Sequence, residues 1–206
     1  MHRTGIAIVL AALLLVDQAI AADQAKEADV AESKAEALEQ SVVDEGSEAP
    51  SSTPATITKP EAQAIDPAGD EPLDDAITCL SRTIYWEARG VGGEEMEAVA
   101  NVVINRLGHE GFPDTVCKVV RQGGEQGTCQ FSWWCDGRSD VAANDEAYAI
   151  AKEIARKALN GQLTDVTGGA LYFHHRTVNP GWAADYIMTA ETGEFAFYKT
   201  QDGTAR

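Results

Sequence analysis

Residues 77–90 read Ile77-Thr78-Cys79-Leu80-Ser81-Arg82-Thr83-Ile84-Tyr85-Trp86-Glu87-Ala88-Arg89-Gly90. Ile77, Leu80, Ile84 and Ala88 recur at helical spacing and predict one apolar face. At about 100° per residue, Glu87 falls at the edge of that face, one turn from Ile84. Gly90 supplies the left-handed conformation that ends a helix. A carboxyl half inside an apolar wall has its charged form disfavoured, which raises its pKa. An acid kept protonated near neutral pH is what general acid catalysis requires. The alternative is an ordinary helix-end glutamate paired with Arg89 or another arginine.

Outward from this stretch, the spacing predicts a helix over about 73–89, capped by Asp74 or Asp75. A second follows over 94–107, with Met96, Val99, Ala100, Val103, Ile104 and Leu107 as its stripe and an acidic first turn. A short third helix runs through Val120, with Asp114 as its cap. Asn144 begins a long helix to Leu159, ended by Asn160-Gly161. Ala170 to His175 and Glu194 to Tyr198 read as strands. Helices first and a small β element late give an α+β class, without a strand–helix alternation.

The chain has 206 residues and a formal net charge of −17. Its start reads as a secretory leader over 1–22, with Arg3, an apolar run from Ile6 to Val16 and Ala19-Ile20-Ala21 as the cleavage site. Asp17 closes a run too short for a good membrane span. This predicts export to the periplasm or cell envelope, with no stable span after cleavage. Residues 23–76 carry 15 acidic and 3 basic residues and lack Trp, Tyr, Phe and Cys. Residues 23–72 therefore read as a disordered acidic tether, with at most a transient helix over 25–39 and extended chain near Pro50, Pro54, Pro60, Pro67 and Pro72. The catalytic domain is expected over 73–206. The acidity argues against nucleic acid as a partner, and the residues name no protein partner.

Cys79, Cys117, Cys129 and Cys135 allow three disulfide connectivities in an exported chain. A short loop joins Cys129 to Cys135, which favours that pair and leaves Cys79–Cys117 as a staple between helices. No C-x-x-C pair exists, so neither a zinc site nor any other metal or cofactor is expected. Gly123 to Gly137 reads as a stapled loop or hairpin. In an extended segment Trp133 and Trp134 point opposite ways, which would expose one to stack on a sugar ring.

Six blocks in order carry a family resemblance: Thr83-Ile84-Tyr85-Trp86-Glu87-Ala88-Arg89-Gly90, Ala98-Val99-Ala100-Asn101-Val102-Val103-Ile104-Asn105-Arg106, Phe112-Pro113-Asp114-Thr115-Val116-Cys117, Cys129-Gln130-Phe131-Ser132-Trp133, Gly168-Gly169-Ala170-Leu171-Tyr172-Phe173-His174, and Val178-Asn179-Pro180-Gly181-Trp182. Residues 77–199 thereby resemble the SleB/CwlJ type of cell-wall hydrolase, known from spore-cortex-lytic enzymes and exported proteins of Gram-negative bacteria. The resemblance implies a lysozyme-like helical lobe beside a small β element, peptidoglycan glycan strands as substrate, and Glu87 as catalytic acid. Two positions depart from the family: Val91 stands where a second Glu is usual, and Phe195 where a His is usual.

Ordinary glycosidases use two carboxylates. A lytic transglycosylase needs one, because the muramoyl C6 hydroxyl replaces water as nucleophile. Glu87 as sole acid and base fits that chemistry on the bond between N-acetylmuramic acid and N-acetylglucosamine. A hydrolytic muramidase would recruit Glu94, Glu95 or Asp136 as helper. An amidase would need three metal ligands, and only His109, His174 and His175 remain as histidines after the leader. A third alternative is a non-catalytic envelope-binding protein. Gln130, Ser132, Trp133, Tyr172, His174, Asn179 and Trp182 are the candidates for a glycan groove, offering neutral hydrogen-bonding groups and stacking surface.

Overall fold

The computed structural model describes residues 4–44 and 55–201, with side chains from residue 21 onward except those of Gln126 and Asp145. The side chains on which the leader expectation rests, and the stretch 45–54 with Pro50 and Pro54, lie outside the described residues. Among the described residues six α-helices and three strands follow in order: α1 (Thr4–Asp44), α2 (Lys59–Ala64), α3 (Ala76–Ala88), α4 (Gly93–Arg106), α5 (Val116–Arg121), α6 (Asp145–Leu159), β1 (Tyr172–His175), β2 (Ile187–Glu191) and β3 (Phe195–Lys199). The sheet is antiparallel in the order β1-β3-β2. The class is α+β. Among the described residues, no helix is long and apolar enough to cross a membrane.

α3 is the axis of the helical lobe. All its residues but Trp86 and Glu87 are buried, because other helices pack around it. Asp75 caps it by accepting from Thr78 N at 2.8 Å. Beyond its end Gly90 has φ +85°, a conformation costly for any residue with a Cβ. α4 lays Val99, Val102 and Val103 against α3, and α6 adds Ala151, Ile154 and Ala155. Asn144 caps α6 through Ala147 N at 3.0 Å. α5 is capped by Thr115, not by Asp114. Thr115 Oγ1 accepts from Lys118 N, while Asp114 turns outward to pair with Lys118 Nζ at 2.9 Å.

The structure differs most from the sequence reading over 23–72. Over its described residues, 23–44 and 55–72, this stretch packs on the lobe and is not a loose tether. Ala31, Ala35 and Leu38 of α1 and Ile57, Ala62 and Ile65 around α2 enter the main core. Their few apolar side chains are small or widely spaced, so composition hides them, yet Ala31, Ala35 and Leu38 fall on one face of α1. Asp66 is fully buried and pairs with Arg82 of α3. The packed body therefore begins well before Leu73.

The 123–137 segment forms neither strand nor hairpin. It makes short 3-10 turns at Gly124–Gln126 and Ser132–Trp134. Side chains in a tight helical turn do not alternate as in a strand. Trp133 is buried in the core and Trp134 packs half-buried against it, so neither is the exposed stacking platform the extended reading predicts. The sulfurs pair as Cys79–Cys117 and Cys129–Cys135. The first pair joins α3 to the start of α5. The second closes the loop around Ser132–Trp134.

Candidate active site

A groove of about 580 Å³ lies where the end of α3, the end of α4, the Thr128–Gln130 loop and the sheet converge. Glu87 and Arg106 line it from the helical lobe. Tyr172, His174 and His175 line it from β1, Phe195 from β3, Trp182 from the 3-10 turn Gly181–Asp185 and Tyr186 just after that turn. The strands place these side chains because β1 pairs with β3 in the register Tyr172–Tyr198 through His175–Phe195.

Glu87 keeps some exposed surface, as an acid that meets substrate must. Its carboxyl is nevertheless mostly desolvated, and burial pushes its pKa up to about 7, against a smaller downward pull from Arg106. Arg89 is not its partner. That guanidinium lies over the Trp86 ring at 4.4 Å and donates to Tyr85 Oη at 3.2 Å. Glu87 is the one carboxylate lining the groove among the described residues.

The aromatic side of the groove is a connected set. Tyr172 packs on Tyr186 and Trp182 with centroids 4.9 and 6.1 Å apart. His174 stacks on Tyr198 at 5.1 Å and sets its edge against Trp182. Its Nε2 meets Tyr198 Oη at 3.1 Å and its Nδ1 meets His175 O at 3.0 Å, so both ring nitrogens are engaged. His175 Nε2 lies 2.9 Å from Glu194 Oε2. Such a wall offers flat apolar faces with polar edges, the surface on which sugar rings stack.

Of the candidate groove residues, Gln130, Tyr172, His174 and Trp182 share the lining with Glu87. Ser132, Trp133 and Asn179 do not. Trp133 is turned into the core by its 3-10 turn, while Ser132 and Asn179 are exposed away from the groove. Arg106, Thr128, His175 and Tyr186 line it without being foreseen. Arg106 follows Ile104 and Asn105 at the end of an apolar helix. The missed signal was a cation where that apolar stripe closes. Val91, the first departure from the family, packs partly buried against the core. Phe195, the second, is buried with its ring edge-on to His175. Among the described residues no group of three His, Cys, Asp or Glu side chains is arranged to hold a metal ion.

Comparison with known proteins adds to this geometry. The pattern of the family described as Cell Wall Hydrolase matches residues 90–198. Glu87 lies just ahead of that span. The chain is 34% identical over 124 residues to a spore cortex-lytic enzyme of Oceanobacillus iheyensis, covering 60% of this chain and 41% of that one. It is 32% identical over 131 residues to the spore cortex-lytic enzyme of Bacillus subtilis, covering 63% of this chain and 39% of the other. It thus spans about two fifths of these relatives' length. Its fold is similar to the catalytic domain of the germination-specific lytic transglycosylase SleB from Bacillus anthracis. The TM-score is 0.50 at 29% identity, covering 60% of this chain and 93% of that domain.

Proposed function

This chain belongs to the cell wall hydrolase family, and on that premise we propose that it cleaves the glycan strands of peptidoglycan as a lytic transglycosylase. The bond is that between N-acetylmuramic acid and N-acetylglucosamine, and Glu87 serves as both acid and base. The observation that carries the reading is a single largely desolvated carboxyl, shifted up to about 7, in a groove walled by Tyr172, Trp182, Tyr186 and His174. The similarity to a protein described as a lytic transglycosylase supports it.

The step balances without water. Glu87 gives its proton to the glycosidic oxygen as the bond from that oxygen to the muramoyl anomeric carbon breaks. The muramoyl C6 hydroxyl oxygen then bonds to the same carbon, and its proton returns to the Glu87 carboxylate. One product ends in an anhydromuramoyl residue, the other in a free N-acetylglucosamine hydroxyl. The acid is regenerated in its starting form. A hydrolase of the common type needs a second carboxylate at the bond. Glu94 and Glu95 stand in the first turn of α4 and Asp136 beyond the Cys129–Cys135 loop, outside the groove lining.

Digestion of purified sacculi with mass analysis of the products tests this reading. Anhydromuramoyl ends are the expected result. Reducing ends would replace transglycosylation with hydrolysis, and cleaved muramoyl–alanine bonds would replace it with an amidase.

A further inference from the structure

Arg106 ends α4 at the groove and is 3% exposed. A guanidinium removed from water in this way ordinarily meets a carboxylate, because an uncompensated buried charge is strongly destabilising. The partners of Arg106 are neutral. Its Nε donates to Leu171 O at 2.7 Å and its Nη2 to Gln130 Oε1 at 3.4 Å. Its Nη1 is buried without a hydrogen-bond partner. The rings of Phe112, Phe131 and Tyr172 surround the guanidinium at 5.2, 5.2 and 5.5 Å. Ring faces attract a cation but do not neutralise it. Burial lowers the Arg106 pKa to about 10, which leaves it charged through the neutral range.

One acid shares this cavity with Arg106 among the described residues, and it is Glu87. We propose that Arg106 is a positioning residue whose uncancelled charge is held for the Glu87 carboxylate, so that the two become an attracting pair when Glu87 gives up its proton, as it does to the glycosidic oxygen. The proposal rests on reading Glu87 as the acid. While Glu87 is protonated the attraction is small. As the proton leaves, negative charge grows near a fixed cation in a wall of low dielectric. The interaction is stronger in the transition state than before it, which is the condition for lowering a barrier. Arg106 also limits how far burial raises Glu87, and so keeps the acid strong enough to give up its proton.

Other titratable groups lie around the groove and on the elements beside it. Tyr172, His174 and His175 face the groove from β1, His175 with Glu194 behind it, and Tyr186 from just after the 3-10 turn. Arg89 follows on its own segment and lies over Trp86. Glu95 is buried at the start of α4. These groups are unchanged in the comparison that follows.

The pH dependence of kcat and KM on soluble glycan strands is measured for the full chain and for Arg106→Met, Arg106→Lys, Gln130→Glu and Glu87→Gln. Methionine suits the ring-lined site. Gln130 is exposed and meets Arg106 Nη2, so Gln130→Glu leaves the core intact and cancels the cation. In Arg106→Met and Gln130→Glu, kcat is expected to fall roughly tenfold or more, with KM little changed in Arg106→Met. The alkaline limb of kcat/KM should rise by about one pH unit. Arg106→Lys should hold the limb near wild type. An unmoved limb in both cancelling variants overturns the proposal, as does a loss confined to KM in Arg106→Met. If Arg106→Met does not fold, Gln130→Glu decides alone. Full activity in Glu87→Gln would remove the underlying acid instead. An inert Glu87→Gln with unmoved limbs elsewhere removes only the role of Arg106.

Discussion

Asp66 and Arg82 form a fully enclosed ion pair, with Nε and Nη2 of the arginine each 2.7 Å from the same carboxylate oxygen. Tyr148 Oη donates to that oxygen at 2.5 Å, and the other carboxylate oxygen accepts from Glu71 N at 2.9 Å. Arg82 Nη1 reaches Asp140 O at 2.8 Å. One carboxylate thus ties the chain after α2 to α3 and α6. Asp66→Ala leaves Arg82 buried and unpaired, which should cost about 3–5 kcal/mol. Chemical denaturation of the full chain measures this. A loss near zero would mean that the segment before α3 only rests on the lobe.

Activity should follow the protonation of Glu87. An acid shifted up to about 7 is competent below that value. The expected kcat/KM declines above pH 7 and approaches a tenfold loss per pH unit. A profile flat to pH 9 would show that no such group gives the proton.

The same shift bears on stability. The unfolded chain ionises Glu87 from about pH 4.5, while the folded chain keeps the proton to about 7. Stability conferred by the neutral acid is full below the lower value and is lost as pH rises through the upper one. Glu87→Gln removes that loss and should be more stable than wild type at pH 8, by up to about 3 kcal/mol. The two should converge below pH 4. Thermal melts across pH give the comparison.

The two disulfides have separable effects. Cys79–Cys117 closes 38 residues between helices, and Cys129–Cys135 closes 6 residues beside the groove. Chain entropy assigns them roughly 4 and 2 kcal/mol. Cys79→Ala with Cys117→Ala should lower Tm more. Cys129→Ala with Cys135→Ala should reduce activity more, because Thr128, Cys129 and Gln130 line the groove. Paired melts and digestion assays distinguish the two.

The parts legible in sequence were those with strong local signals. α3, α4 and α6 show helical stripes with Asp75 and Asn144 as caps, and Glu87 stands at a stripe's edge before Gly90. What stayed hidden depended on tertiary placement. Ala31 and Ala35 become core only because another helix approaches closely. β2 was unread because Ile187 and Met188 are exposed, so the strand lacks a clear buried alternation. Trp133 turns inward because a 3-10 turn stands where alternation in an extended segment would expose one of the two tryptophans. Arg106 went unnoticed because a single arginine after an apolar stripe resembles a basic helix end, which favours the helix dipole anyway.

The most direct measurement is digestion of purified sacculi by wild type and by Glu87→Gln, with both proteins shown by melting to be folded. The account predicts soluble fragments carrying anhydromuramoyl ends from wild type and none above background from the variant. Comparable fragment release by Glu87→Gln would contradict it.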